Sequence, residues 1–311
     1  MSPARRTLLS AFGSAGAAAL AGCNARFGDS SPSHEYALDV DRIDQSIVEF
    51  ALYTPDDDPV FGQPAREALD EILPTGSYTT VGYEPLPEDA YVVHDGTYYV
   101  TQVVVTGREE STRRAVELTP VEEDQTDETA DAVQVESLPQ ADARVLKILH
   151  SYEWTDGQGS AADLVDDGRY VLRRPAEVNG RIATDLDGQL VAMDEIATYR
   201  VDVVEVTLTE PAYTARAIEL ATSRDAFAEI AKATRVDCHL DPSDLSAGAR
   251  DLFEQAVERN VYRETEPLSG AFTALLDALD LETVEAGKTG QVLRYGGDLY
   301  RYGLYVRVED D

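Results

Sequence analysis

Lysine is almost missing from this chain. Only Lys147, Lys232 and Lys288 occur, beside 23 arginines and 59 acidic residues in a chain of 311, and the net charge is −33. A field of that sign repels a phosphate backbone, so nucleic acid is excluded as a partner. Cysteine is scarce as well, with Cys23 and Cys238 alone. Two thiols allow one disulfide at most, so stability has to come from burial, and the 43% apolar fraction is that of an ordinary globular chain. Of the four histidines, His34, His94, His150 and His239, only His239 has a ligating neighbour, Cys238. Adjacent strand residues point to opposite faces, so one zinc ion could not take both, and no metal or other cofactor is expected. Residues 23–311 contain no Gly-x-Ser-x-Gly elbow, His-Glu-x-x-His helix or Gly-x-Gly-x-x-Gly turn. No catalytic residue is therefore expected from a familiar motif, and only a hydrolase built on an unmarked carboxylate pair stays open.

What is present begins with Arg5-Arg6, just ahead of an apolar stretch over 8–22. Fifteen residues of mostly Ala, Gly and Leu fall short of the roughly 20 that an α-helix needs to cross a bilayer. The paired arginines mark residues 1–22 as a twin-arginine export signal. It closes on Leu20-Ala21-Gly22-Cys23, which resembles the lipobox of prokaryotic lipoproteins. That resemblance implies cleavage before Cys23, a lipid on its thiol, the membrane as a partner, and a location on the extracellular face of the cell membrane. Cys238 then stands alone.

Loss of the signal leaves 24 basic residues against 59 acidic ones, a net charge of −35, with the acids spread through every segment. This composition resembles that of haloarchaeal proteins and implies an extreme halophile. At physiological ionic strength the Debye length is about 8 Å and such self-repulsion strains a compact state, whereas in molar salt it shrinks to about 3 Å. The charge reads as an adaptation to solvent, not as a patch for a basic partner.

Internal repeats organise the rest. Gly76-Ser77-Tyr78, Gly168-Arg169-Tyr170 and Asn260-Val261-Tyr262 recur at a spacing of 92 residues. Ala65-Arg66-Glu67-Ala68-Leu69 aligns with Ala249-Arg250-Asp251-Leu252-Phe253, and Glu84-Pro85-Leu86 returns as Glu266-Pro267-Leu268. Thr97-Tyr98-Tyr99-Val100 matches Thr198-Tyr199-Arg200-Val201. Ala37-Leu38-Asp39-Val40, Ala115-Val116-Glu117-Leu118 and Ala217-Ile218-Glu219-Leu220 each alternate as a half-buried strand does. The expectation is an α+β fold of three tandem related modules, 35–112, 113–214 and 215–311, each a strand, a helical stretch and an antiparallel β-hairpin. Helices are predicted at 65–73, 142–152, 224–233 and 247–259. Asp95-Gly96 and Gly296-Gly297 supply the hairpin turns. Gly76, Gly168 and Asn260 are each expected to end a helix in the left-handed conformation, with the tyrosine two residues on turned toward the core.

The helix, Gly-x-Tyr, proline step and Asp-Gly-Thr-Tyr-Tyr hairpin resemble a module of unknown function in haloarchaeal exported proteins. The likeness is good over 61–106, fair over 245–311 and weak over 141–210, where Asp194-Glu195-Ile196-Ala197 replaces the Asp-Gly turn. It implies no catalytic residues. Residues 23–34 read as a lipidated tether and 121–131 as an acidic solvated loop. Asp56-Asp57-Asp58-Pro59 and Asp185-Leu186-Asp187-Gly188 offer carboxylates at short range but lack the spacing of a calcium loop. Gly287-Lys288-Thr289 ends like a phosphate loop, yet Glu282 stands where that motif needs glycine. Tyr300 and Tyr302 share a strand face and form a candidate platform for an envelope protein or glycan, against the alternative of core packing. The function expected is a non-enzymatic structural or binding lipoprotein of the cell envelope, the alternative being the carboxylate hydrolase.

Overall fold

The computed structural model describes residues 33–121, 132–193, 197–281 and 287–309. The export signal with Arg5 and Arg6, the lipobox Leu20 to Cys23, most of the tether and of the acidic loop, the middle hairpin turn and Glu282 lie outside the described residues.

The chain is α+β and its sheets are mostly antiparallel, built from β1 (Ser33–Ile43), β2 (Ser77–Val81), β3 (Tyr91–His94), β4 (Thr97–Pro120), β5 (Val133–Gln134), β6 (Tyr170–Val171), β7 (Leu190–Met193), β8 (Ala197–Ala221), β9 (Cys238–Leu240), β10 (Val261–Thr265), β11 (Lys288–Tyr295) and β12 (Asp298–Glu309). The helices are α1 (Ile47–Ala51), α2 (Gly62–Ile72), α3 (Gln140–Trp154), α4 (Pro175–Val178), α5 (Arg181–Thr184), α6 (Arg224–Arg235), α7 (Ala247–Arg259) and α8 (Gly270–Ala278). The four predicted helices are α2, α3, α6 and α7, while the short α1, α4, α5 and α8 went unpredicted because too few turns exist to show a period. His34 belongs to β1, so the tether ends sooner than expected, and its ring pairs with Glu266 at 3.0 Å.

One strand order occurs three times. The terminal sheet runs β10-β1-β12-β11-β9. The larger sheet is organised around β4 and β8, which pair antiparallel from Tyr98↔Ala221 to Pro120↔Tyr199. At one end of that ribbon the order is β2-β8-β4-β3, continued by a parallel bridge from Leu52 to Tyr91. At the other end it is β6-β4-β8-β7-β5. In each array a strand carrying the recurrent tyrosine sits beside an opening strand, then come the two hairpin strands in reverse order, then a short parallel strand or, at the β2 end, the single parallel bridge at Leu52.

Tandem order is not kept. β4 and β8 run unbroken through the expected boundaries at 112/113 and 214/215. β1, which opens the first segment, lies in the sheet of the third, and the end of β8, which should open the third segment, lies in the sheet of the first. Across Gly107 and the charged run Arg108-Glu109-Glu110 the two strands satisfy each other's backbone groups as an exposed ribbon. Ile218 is exposed, so the alternation expected at 217–220 fails.

The 92-residue landmarks divide in the same way. Asn260 ends α7 with φ 63°, as expected of a left-handed cap. Gly168 has φ +77° but sits in a tight turn between Asp166 and Arg169, and Gly76 is not left-handed. The tyrosines do recur in place: Tyr78, Tyr170 and Tyr262 each pack against the core of their own array. Tyr262 stands opposite Leu38 and Tyr170 opposite Val116, the second residues of two matched opening patterns.

Candidate functional site

The tyrosine platform expected at Tyr300 and Tyr302 is not a surface. Their relative exposures are 7% and 2%; Tyr300 meets Phe253 edge-on with centroids 5.5 Å apart, and the Tyr302 hydroxyl donates to the Leu279 carbonyl at 3.2 Å. The face the two share is the one covered by α7 and α8, so the core-packing alternative holds. Cys238 is half-buried with its thiol raised in pKa by burial and then by Asp280 and Asp237, while His239 is exposed. Asp58 holds the turn ahead of α2, accepting from the Val60 and Phe61 amides at 2.7 and 3.0 Å, and Asp187 accepts from the Val203 amide at 2.9 Å. Among the described residues no three potential ligands gather for a metal.

The charged cluster that does form was not anticipated from the sequence. It lies where the two arrays of the larger sheet meet. Glu210 of β8 is 3% exposed and accepts from Ser111 Oγ at 2.7 Å, Arg113 Nε at 2.7 Å and Arg173 Nε at 2.6 Å. Burial by itself raises the Glu210 pKa; the donors from Ser111, Arg113 and Arg173 outweigh that and hold it below the ordinary carboxylate value. Gly82, at φ +83°, lets the chain pass against this carboxylate, since a Cβ there would come within 2.5 Å of Glu210 Oε1.

Arg173 links this group to Glu177 of α4, which is 1% exposed. It accepts from the Tyr170 hydroxyl at 2.7 Å and from the Arg173 and Arg174 amides at 3.0 Å each, and Arg144 of α3 approaches it at 3.5 Å. Burial, then the charge of Glu177, pushes the Tyr170 phenol up to about 12, and burial pushes Tyr83 to about 12 also. These groups line a cleft of about 330 Å³ with Phe61, Tyr213, Arg174 and two further acids, Glu84 and Asp163.

Arg174 is its most exceptional member. Its guanidinium lies 4.5 Å from the Phe61 ring centroid and 4.9 Å from that of Tyr83, and Arg144 packs over Phe61 as well, at 5.0 Å. Among the described residues no acid lies within ion-pair distance of Arg174, and its one side-chain hydrogen bond is a long one, 3.5 Å to the Val60 carbonyl. Burial lowers its pKa, opposed by Glu177. At the corresponding proline step the other two arrays carry glutamates, Glu84 before Pro85 and Glu266 before Pro267, where this one has Arg174 before Pro175. The pair Arg173-Arg174 in so acidic a chain was the one available sequence signal. No protein-family model, curated protein or solved structure matches this chain.

Proposed function

We propose that this protein is a non-enzymatic binding protein of the cell envelope, assembled from three related modules, and that the arginine and aromatic cleft is where it takes an anionic ligand. The single observation that carries the binding reading is Arg174, a guanidinium set between two aromatic rings in this cavity with no ion-pair partner among the described residues, whereas Arg144 and Arg173 answer Glu177 and Glu210. An acidic ligand entering a protein of net charge −33 needs a local cation that the protein's own acids do not occupy. A guanidinium with aromatic neighbours and free N–H groups matches the chemistry of carboxylate or phosphate recognition.

The two buried glutamates argue for binding over the hydrolase alternative. A glycosidase pair needs one carboxyl held protonated as an acid, but Glu210 is shifted the other way and both carboxylates are saturated by the protein's own donors. Relatedness of the modules is supported by the repeated strand order and by the shared register of Tyr170 and Tyr262.

The envelope location rests on Arg5-Arg6 and the Leu20 to Cys23 motif. β1 begins ten residues after Cys23, so a tether of about 35 Å at full stretch would hang the molecule from a central strand of its terminal sheet. Among the described residues no helix is long and apolar enough to cross a membrane. Fractionation of cells carrying Cys23→Ser tests the anchor: the protein should leave the membrane or stay unprocessed, and a processed variant that remains bound refutes it. Thermal shift with phosphate, sulfate and acetate tests the cleft. Stabilisation of the wild type that is absent in Arg174→Gln is expected, and equal responses refute the binding site.

A further inference from the structure

The larger sheet holds two bodies joined through its middle. One is the β2 end with α2 and α6, the other the β6 end with α3 and α5, and their apolar cores do not meet. On β4 the core of the first body ends at Val103 and that of the second begins at Val116, while on β8 no residue between Val203 and Tyr213 belongs to either. What lies between is a two-stranded ribbon with a bulge between Val105 and Gly107. Two strands alone have little rigidity, and a bulge is where such a ribbon bends.

Off the ribbon the bodies touch through polar and cation–aromatic contacts. Gln140 Nε2 donates to Asp58 Oδ2 at 2.7 Å, and Arg144 and Arg174 reach across to the rings of Phe61 and Tyr83. Arg174 goes furthest. A hollow of about 180 Å³ in the β2 end, walled by Tyr53, Phe61 and Pro87 among others, has Arg174 as its one lining residue from the β6 end among the described residues. No ion pair among the described residues joins the bodies directly; Glu210 on the ribbon takes Arg173 from one side, and Arg113 beside it donates to the Val81 carbonyl of the other at 2.8 Å. Domains of one chain that share no core and meet through so polar a junction move relative to each other.

We propose that the ribbon is a hinge and that Arg174, seated between Phe61 and Tyr83, is the latch that holds the cleft shut. The cleft lies on the seam, with Phe61, Gly82 and Tyr83 on one wall and Tyr170, Arg173 and Arg174 on the other. Bending at Thr106-Gly107 parts these walls and withdraws the guanidinium from the two rings. Access to the cleft is then set by the latch, and any ligand that touches both walls favours the closed form.

Electron–electron double resonance in molar salt tests the hinge, on the full chain carrying Cys23→Ser and Cys238→Ser. Spin labels go on Asp70→Cys in α2 and Ser151→Cys in α3, both exposed positions on different bodies. Phe61→Ala alters an exposed side chain, so the fold should survive it, and it removes one of the rings that seat Arg174. The distance distribution should lengthen by several ångströms and broaden, and Arg174→Gln should do the same. A second pair on one body, Asp70→Cys in α2 and Ala226→Cys in α6, should keep its distance in every variant. A first-pair distribution that is the same in wild type and both variants overturns the latch. A second pair that spreads as much as the first overturns the hinge, because the β2 end is then not one body. Thermal shift with anions reads a different property, so the hinge and the binding site can fail independently.

Discussion

Removing the charge of Glu210 should be among the most damaging conservative changes available. Glu210→Gln keeps the side chain's shape but leaves Arg113 and Arg173 without the anion that both contact, and directs an amide toward one of them. Breaking a buried ion pair from one side costs about 3–5 kcal/mol because the orphaned charge stays desolvated. Here the arginine side chains keep 21% and 32% of their exposure, so water can partly take over, and the expected loss is at the lower end, about 3 kcal/mol. Urea unfolding followed by circular dichroism in molar salt measures it. A depressed carboxylate pKa contributes stability that is complete above the unfolded value of about 4.5 and is lost as pH falls through the lower folded value. The gap between wild type and Glu210→Gln should therefore be constant near neutrality and close only in acid, below the ordinary carboxylate range. The triple change Glu210→Met, Arg113→Met, Arg173→Met removes the orphaned charges as well and should be less destabilising than Glu210→Gln alone. A loss under about 1 kcal/mol for Glu210→Gln, or a triple variant that is worse, would refute the assignment of this network as a desolvated charge cluster.

Gly82→Ala should destabilise by at least about 1–2 kcal/mol in the same unfolding assay, since it combines a left-handed φ with a Cβ aimed at Glu210. Asp142 is fully buried in α3 and accepts from the Arg181 and Ile182 amides at 3.1 Å each, so Asp142→Ala should cost about 3 kcal/mol by leaving both donors unmet. Asn260→Gly should stay within about 0.5 kcal/mol of wild type, the relief at φ 63° offsetting the lost bond to Asp41, and calorimetric melting can check it. Dilution from molar salt to about 0.1 M lengthens the Debye length from about 3 to 10 Å and should unfold the chain; a circular dichroism signal unchanged across the titration would show that the acids are not there for solvation.

Much of the local structure was legible from residue order. Ser223 and Ser246 cap α6 and α7, Asp95-Gly96 and Gly296-Gly297 turn two hairpins with positive φ, and Tyr78, Tyr170 and Tyr262 each start a strand that packs inward. These features depend on φ preferences, hydrogen-bonding side chains and alternation, all of which act within a few residues. The composition fixed the net charge of −33. Which opening strand joins which hairpin was decided only in three dimensions. β1 and the end of β8 carry similar alternating patterns, so either could lie beside either hairpin, and the choice falls to long-range pairing along β4, β8 and β12 that no local signal encodes. The charged cluster and the cleft beside it are of the same kind. Glu210, Glu177, Arg113, Arg144 and Arg174 come from four separate stretches of chain, and a charge in a sequence of 59 acids says nothing of its neighbours until burial forces it to find a partner.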